Sequence, residues 1–89
     1  MNEGSREGVY YELTFIVEDG WRVFIENGEL MVEAPADGTD FVGEIWRIAR
    51  YIAYSDFVSI ERRDEGEEYV IQSRSNRGLE FRVTFRRRS

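Results

Sequence analysis

Tyr11-Glu12-Leu13-Thr14-Phe15-Ile16-Val17-Glu18-Asp19-Gly20-Trp21-Arg22-Val23-Phe24-Ile25-Glu26-Asn27-Gly28-Glu29-Leu30-Met31-Val32 contains three apolar runs and two glycine-bearing breaks, and the lengths of those breaks decide how the chain folds. Alternate side chains of a strand share a face, so a slip of one residue exchanges the buried and the wet sides. Tyr11, Leu13, Phe15 and Val17 form one apolar row, and Trp21, Val23 and Ile25 form the next. The rows share a face when Val17 lies opposite Trp21, which leaves Glu18-Asp19-Gly20 as a three-residue loop with glycine in the left-handed position of a bulge. Asn27-Gly28 reads as a two-residue turn that sets Ile25 against Leu30 and Val23 against Val32. The spacing therefore predicts an antiparallel meander of three strands.

The same logic reads the C-terminal half. A two-residue turn at Glu65-Gly66 sets Ile60 against Ile71 inside and Arg63 against Glu68 outside; taking Asp64-Glu65-Gly66 as the loop instead would send Ile60 and Val70 outward together. A loop at Asn76-Arg77-Gly78 sets Tyr69 against Phe85, Ile71 against Val83, Ser73 against Phe81 and, outside, Arg74 against Glu80. Between the meanders Phe41, Val42, Ile45, Ile48, Ala49 and Ile52 recur at spacings of three and four, which predicts one helix over residues 40–54 with Glu44, Arg47 and Arg50 toward its polar side. Thr39 or Asp40 caps its first turn, and Pro35 helps to end the strand before it.

The expected fold is α+β with the order βββαβββ, two antiparallel meanders forming a curled sheet packed around one helix. Residues 1–8 read as a flexible leader and residues 9–89 as one domain. Six strands at ~4.8 Å spacing make a sheet almost ~30 Å wide, whereas one helix covers only ~10–12 Å. Either the sheet curls into a partly closed barrel or a second copy of the chain covers the remainder; two bulged hairpins favour curling.

Composition closes several routes to chemistry. The 89 residues include no cysteine and no histidine, so thiolate nucleophiles, disulfides, sulfur-ligated zinc and the commonest general base near neutral pH are all missing. No apolar run reaches the ~20 residues of a membrane helix. The net charge of −6 is uneven: residues 1–44 carry eleven acids against Arg6 and Arg22, a balance of −9, while residues 45–89 stand at +3. A net acidic surface disfavours nucleic acids and anionic membranes and favours a basic partner. Lysine is absent and arginine supplies every positive side chain, which the demands of exposed strand positions do not explain.

Short motifs add little. Asp37-Gly38-Thr39 resembles the tail of the Asp-x-Asp-Gly-Thr signature of the haloacid dehalogenase-like phosphatases, but Pro35 stands where that family carries its nucleophilic carboxylate. Asp37, Asp40 and Glu44 offer oxygen ligands at a helix start, but capping and the helix dipole account for the same residues more economically. Acid pairs sit beside two turns, Glu26 with Glu29 and Glu65 with Glu67 and Glu68, at loop ends with nothing to desolvate them. Arg77-Gly78-Leu79-Glu80-Phe81-Arg82-Val83-Thr84 partly resembles the first ribonucleoprotein motif of RNA-recognition domains, yet Phe81 and Phe85 project to the face opposite Arg82 and Arg86. Trp21, Trp46, Tyr11, Tyr51 and Tyr69 are candidates to line a space between helix and sheet.

Every hairpin has a glycine where its loop length needs one, and the core rows agree through all four turns. In this the whole chain resembles computationally designed α+β proteins with curved antiparallel sheets, which implies a non-enzymatic, idealised scaffold with no evolved activity and no cofactor. The alternative is a small acidic protein-interaction module, or a nucleic-acid mimic that occupies a basic protein. Its surface would be the outward face of the first meander, where Ile16, Phe24 and Met31 form an apolar spot with Arg22, Glu33 and other charged residues around it. That spot suits a homodimer contact or a basic protein partner.

Overall fold

The computed structural model describes residues 2–36, 40–53, 56–74 and 80–88. The chain runs as helix α1 (Asn2–Ile16), strands β1 (Arg22–Glu26) and β2 (Glu29–Ala34), helix α2 (Phe41–Ala53), and strands β3 (Asp56–Arg63), β4 (Glu68–Arg74) and β5 (Glu80–Arg87). The five strands form one mixed sheet in the order β1-β2-β5-β4-β3, and both helices pack on one of its faces. The fold is α+β, and the sheet does not close into a barrel.

The first expected strand is a helix. Successive alternate residues of a helix lie about 200° apart, so Leu13 can be buried only if Tyr11 and Phe15 turn away from it. They do: Leu13 is fully buried while Phe15 is 88% exposed. The face that packs is Val9, Leu13, Ile16 and Val17, at spacings of four, three and one, and this helical set overrides the strand set of Tyr11, Leu13, Phe15 and Val17. The Val17 N–H still donates to the Leu13 carbonyl (3.1 Å). Helix α1 also takes up residues 2–8 of the stretch expected as a leader. Gly20 adopts the positive φ (91°) that its loop was expected to need, but it joins a helix to β1 rather than two strands, and the Trp21 N–H closes the bend on the Glu18 carbonyl.

The second helix removes the coverage problem that curling was meant to solve. Five strands span four intervals of ~4.8 Å, about 19 Å, and two helices ~10 Å apart cover that width. The core is one cluster between layers, with Leu30, Val32, Ile71, Val83 and Phe85 of the sheet beneath Leu13, Phe41, Ile45, Ile48 and Ile52 of the helices. Trp21 stacks on Phe41 (6.2 Å between ring centroids) and Tyr69 meets Phe41 edge-on (5.9 Å).

The remaining registers follow glycine placement. Val23 pairs with Val32 and Ile25 with Leu30 across Asn27-Gly28, whose positive φ values (52° and 79°) make the turn that suits strand twist. Ile60 pairs with Ile71 and Arg63 with Glu68 across a turn closed by the Glu67 N–H on the Asp64 carbonyl (3.0 Å), with Glu65 and Gly66 both left-handed. Tyr69 pairs with Phe85, Ile71 with Val83, Ser73 with Phe81 and Arg74 with Glu80, although the loop at Asn76-Arg77-Gly78 lies outside the described residues. The second expected meander, β3-β4-β5, is antiparallel throughout, whereas the first is reduced to the β1-β2 hairpin because its opening strand is α1, and the seam between the two, β2 with β5, is parallel. Helix α2 begins one residue after Asp40, whose Oδ1 accepts the Gly43 N–H (3.2 Å); Asp37, Gly38 and Thr39 lie outside the described residues.

Candidate interaction surfaces

The sheet face away from the helices carries two rows that cross the strands. One alternates in charge through all five: Arg22 opposite Glu33, Glu33 opposite Arg86, Arg86 opposite Glu68, and Glu68 opposite Arg63. The adjacent row is Phe24, Met31, Thr84 and Val70, ending on Glu61. Opposite charges placed directly across strands attract, and here they converge on Glu33. Its carboxylate accepts from Arg22 Nη1 (3.0 Å) and Arg86 Nε (3.3 Å), with Arg88 Nε at 3.6 Å. Arg86 also reaches Glu26 through Nη1 (3.4 Å), so a single guanidinium bridges two strands.

No helix covers this face, yet Met31 is only 5% exposed, and Val70 and Thr84 are buried with it. Arg22 and Arg86 both lie over the Phe24 ring, at 5.1 and 5.4 Å from its centre.

Of the residues expected to form a partner-binding spot, the structure brings together Phe24, Met31, Arg22 and Glu33 on this outer face. Ile16 is not among them. It belongs to α1, on the opposite side of the sheet, where its side chain packs against the core and its carbonyl accepts from Arg47 Nη2 (2.6 Å). The expectation failed there because it assigned Ile16 to a strand. Met31 is not the open apolar contact it was taken to be, and Glu26 and Glu33 on this face are ion-paired with arginines.

The helical layer is finished differently. Helix α2 puts Phe41, Ile45, Ile48, Ala49 and Ile52 into the core and leaves Gly43, Trp46, Arg47, Arg50 and Tyr51 around a surface depression of about 480 Å³. Trp46 is 41% and Tyr51 56% exposed. Arg47 is fixed from three sides: Nε donates to Glu44 Oε1 (2.7 Å), Nη2 donates to the Ile16 carbonyl, and the guanidinium lies 6.0 Å from the Tyr51 ring centre. Arg50 has no carboxylate within 4.0 Å among the described residues. On α1, Tyr11 and Phe15, one helical turn apart, also face solvent. Of the five aromatic residues expected around an internal space, Trp21 and Tyr69 meet in the core at Phe41, whereas Tyr11, Trp46 and Tyr51 are outside it.

Among the described residues no three acidic side chains are placed to hold a metal ion, and Asp40 is engaged as a helix cap. The acid pair that does interact was not a candidate in the sequence. Glu18, in the loop after α1, hydrogen-bonds Glu44 on α2, and that bond, followed by the repulsion between the two charges, raises its carboxyl above the ordinary 4.5. No helix among the described residues is long and apolar enough to cross a membrane. No protein-family model matches the chain, and neither a curated protein nor a solved structure matches it.

Proposed function

We propose that the chain is a small, non-enzymatic protein-interaction domain that meets its partner through the solvent side of its helices. The observation that carries this reading is the contrast between its two wet faces. On the sheet's outer face Glu26 and Glu33 are ion-paired with arginines and the row Met31, Thr84 and Val70 is buried, whereas α1 leaves Tyr11 and Phe15 exposed to solvent and α2 leaves Trp46 and Tyr51 partly so. Exposed aromatic side chains add nothing to a folded core, and aromatic and arginine residues are the types enriched where proteins bind one another.

A second reading keeps the domain as an idealised scaffold with no evolved activity. It is favoured by the regularity of the Asn27-Gly28 turn and of the unbroken register on either side of it. The two readings separate in one experiment, selection of a displayed random-peptide library on the wild-type domain with counter-selection on a Phe15→Glu/Trp46→Glu variant. A consensus retained by the wild type and lost on the variant is the expected result. Absence of any consensus would leave the scaffold reading, and a consensus lost only on Phe24→Glu would move the interface to the sheet.

A further inference from the structure

We infer that the outer edge of β1 pairs with the β1 of a second copy of the chain, antiparallel and centred on Phe24, so that the two sheets become one. The contact lies at the sheet edge, apart from the helical surface proposed above, and does not rest on that reading.

The backbone supplies the first argument. β1 is the end strand of the sheet, and among the described residues no strand pairs with its outer side. The two-residue turn at Asn27-Gly28 makes Glu26 and Glu29 a hydrogen-bonded pair, and in an antiparallel ladder such pairs alternate with open ones. Arg22, Phe24 and Glu26 therefore direct their backbone groups to β2, while the N–H and C=O of Val23 and Ile25 point out from the sheet edge. Open groups in a row are a template for another strand, and proteins blunt such edges with bulges, prolines or lysines. β1 has an unbroken register and contains neither proline nor lysine. The opposite edge differs, since the register of β3 shifts between Phe57 and Ser59.

The order of residues along β1 supplies the second. Two copies related by a two-fold axis at Phe24 set Val23 of each opposite Ile25 of the other, and every outward N–H and C=O then finds a partner. The same register sets Arg22 of each copy opposite Glu26 of the other. A shift by two residues in either direction sets Val23 or Ile25 opposite itself and parts both charge pairs. A strand from another protein has to bring an acid and a base in the right order, whereas a second copy has them already.

The side chains agree on both faces. On the helical side, Ile25 pairs with the buried Leu30 yet stays 48% exposed at the edge, and Val23 of the second copy comes to lie against it. On the outer face, the row that alternates in charge ends at Arg22, and an incoming Glu26 continues the alternation. Arg22 gives only Nη1 to Glu33 and keeps its other donors for a second carboxylate. Glu26 stands directly opposite another acid, Glu29, with Arg86 at 3.4 Å; Arg22 of the second copy adds a cation beside that like-charge pair.

An edge of five residues makes a small interface of the transient class, so the full chain is studied by sedimentation equilibrium from about 10 μM to about 1 mM, where a monomer–dimer equilibrium is expected. Over the same range, hydrogen exchange of the Val23 and Ile25 amides should slow severalfold, while that of Phe24, already bonded to β2, should not change. Ile25→Pro removes one outward N–H and leaves every charge in place, and it should abolish the dimer. Glu26→Arg and Arg22→Glu each set like charges opposite one another at both ends and should each weaken dimerisation about tenfold or more. An equimolar mixture of those two variants should associate with the wild-type affinity, because every arginine then meets a glutamate; this rescue separates a lost contact from a damaged fold. A monomer at every concentration would overturn the inference and leave the edge to a strand of another protein. A dimer that survives Ile25→Pro but is dissolved by Phe15→Glu would overturn it in favour of a contact between helices, and a mixture that stays monomeric would overturn the register. None of these outcomes decides the display selection, which reads the helical face.

Discussion

The outer face of the sheet and the solvent side of the helices both meet water, yet the sheet buries its apolar row there while α1 leaves Tyr11 and Phe15 exposed. On the sheet, Glu33 holds Arg22 and Arg86, those arginines lie over Phe24, and Met31, Thr84 and Val70 in the row beside them are buried. On the helices, Phe15 and Tyr11 project past the last layer of packing. What separates the two faces is how far their apolar side chains are buried: Met31 is 5% exposed on the sheet and Phe15 88% on α1.

The largest expected effect lies within α1, where the contrast is sharpest. Leu13→Ala removes a fully buried side chain and should cost about 3 kcal/mol of unfolding free energy, read from urea denaturation, while Phe15→Ala two residues on should change it by less than about 0.5 kcal/mol. A strand with both residues inward would make the two losses comparable, so equal effects would break the helical assignment and the exposed aromatic surface together.

Glu33 offers the matching test on the sheet. Glu33→Ala strips the shared acceptor from Arg22, Arg86 and Arg88, and the expected loss is about 2 kcal/mol, below that of a fully buried pair because the guanidiniums keep part of their hydration. Arg86→Lys should cost about 1 kcal/mol, since an ammonium cannot bridge Glu26 and Glu33 while lying flat on Phe24. Both losses are read as shifts of the denaturation midpoint, and Phe15→Ala as the helical control should show almost none. Arg86 also supplies a physical reason for arginine over lysine at one position of this lysine-free chain. If Glu33→Ala is silent, the sheet face is no better knit than the helical one.

Much of this was legible in the sequence wherever local geometry chose the register. Asn27-Gly28 and Glu65-Gly66 each demand positive φ, and a two-residue turn then leaves one pairing that keeps Val23 with Val32 or Ile60 with Ile71. Helix α2 was equally legible because its apolar spacing has no strand equivalent. The stretch around Leu13 was ambiguous because Leu13 and Val17 belong to both a strand row and a helical face, and the surrounding β-branched and aromatic residues tipped the choice toward strand. Two signals favoured the helix: Val9 extends the helical face by a full turn, and six strands were too wide for one helix to cover. Gly20 could not arbitrate, since a helix-to-strand bend and a bulged hairpin both use its positive φ. The sealed sheet face was illegible for a different reason. Glu33 meets Arg86 only through the parallel pairing of β2 with β5, which no turn specifies.

The smallest expected effect concerns the seam where the two helices meet. Glu18 is drawn upward chiefly by its hydrogen bond to Glu44 and by their mutual repulsion, with Asp19 pushing the same way and Arg47 opposing. An acid raised in the folded state binds its proton more tightly there than in the unfolded chain, so its contribution is fully present below the ordinary 4.5 and is lost as pH rises through the raised value. Wild-type stability should therefore fall, relative to Glu18→Gln, across the interval from 4.5 upward to that value, and the variant should be the more stable of the two at neutral pH. Denaturation midpoints of both proteins along a pH series isolate this one group from the other carboxylates, which the variant leaves in place. A constant difference across the series would mean that Glu18 and Glu44 do not share a proton, and that the contact between α1 and α2 at this end rests on Arg47 alone.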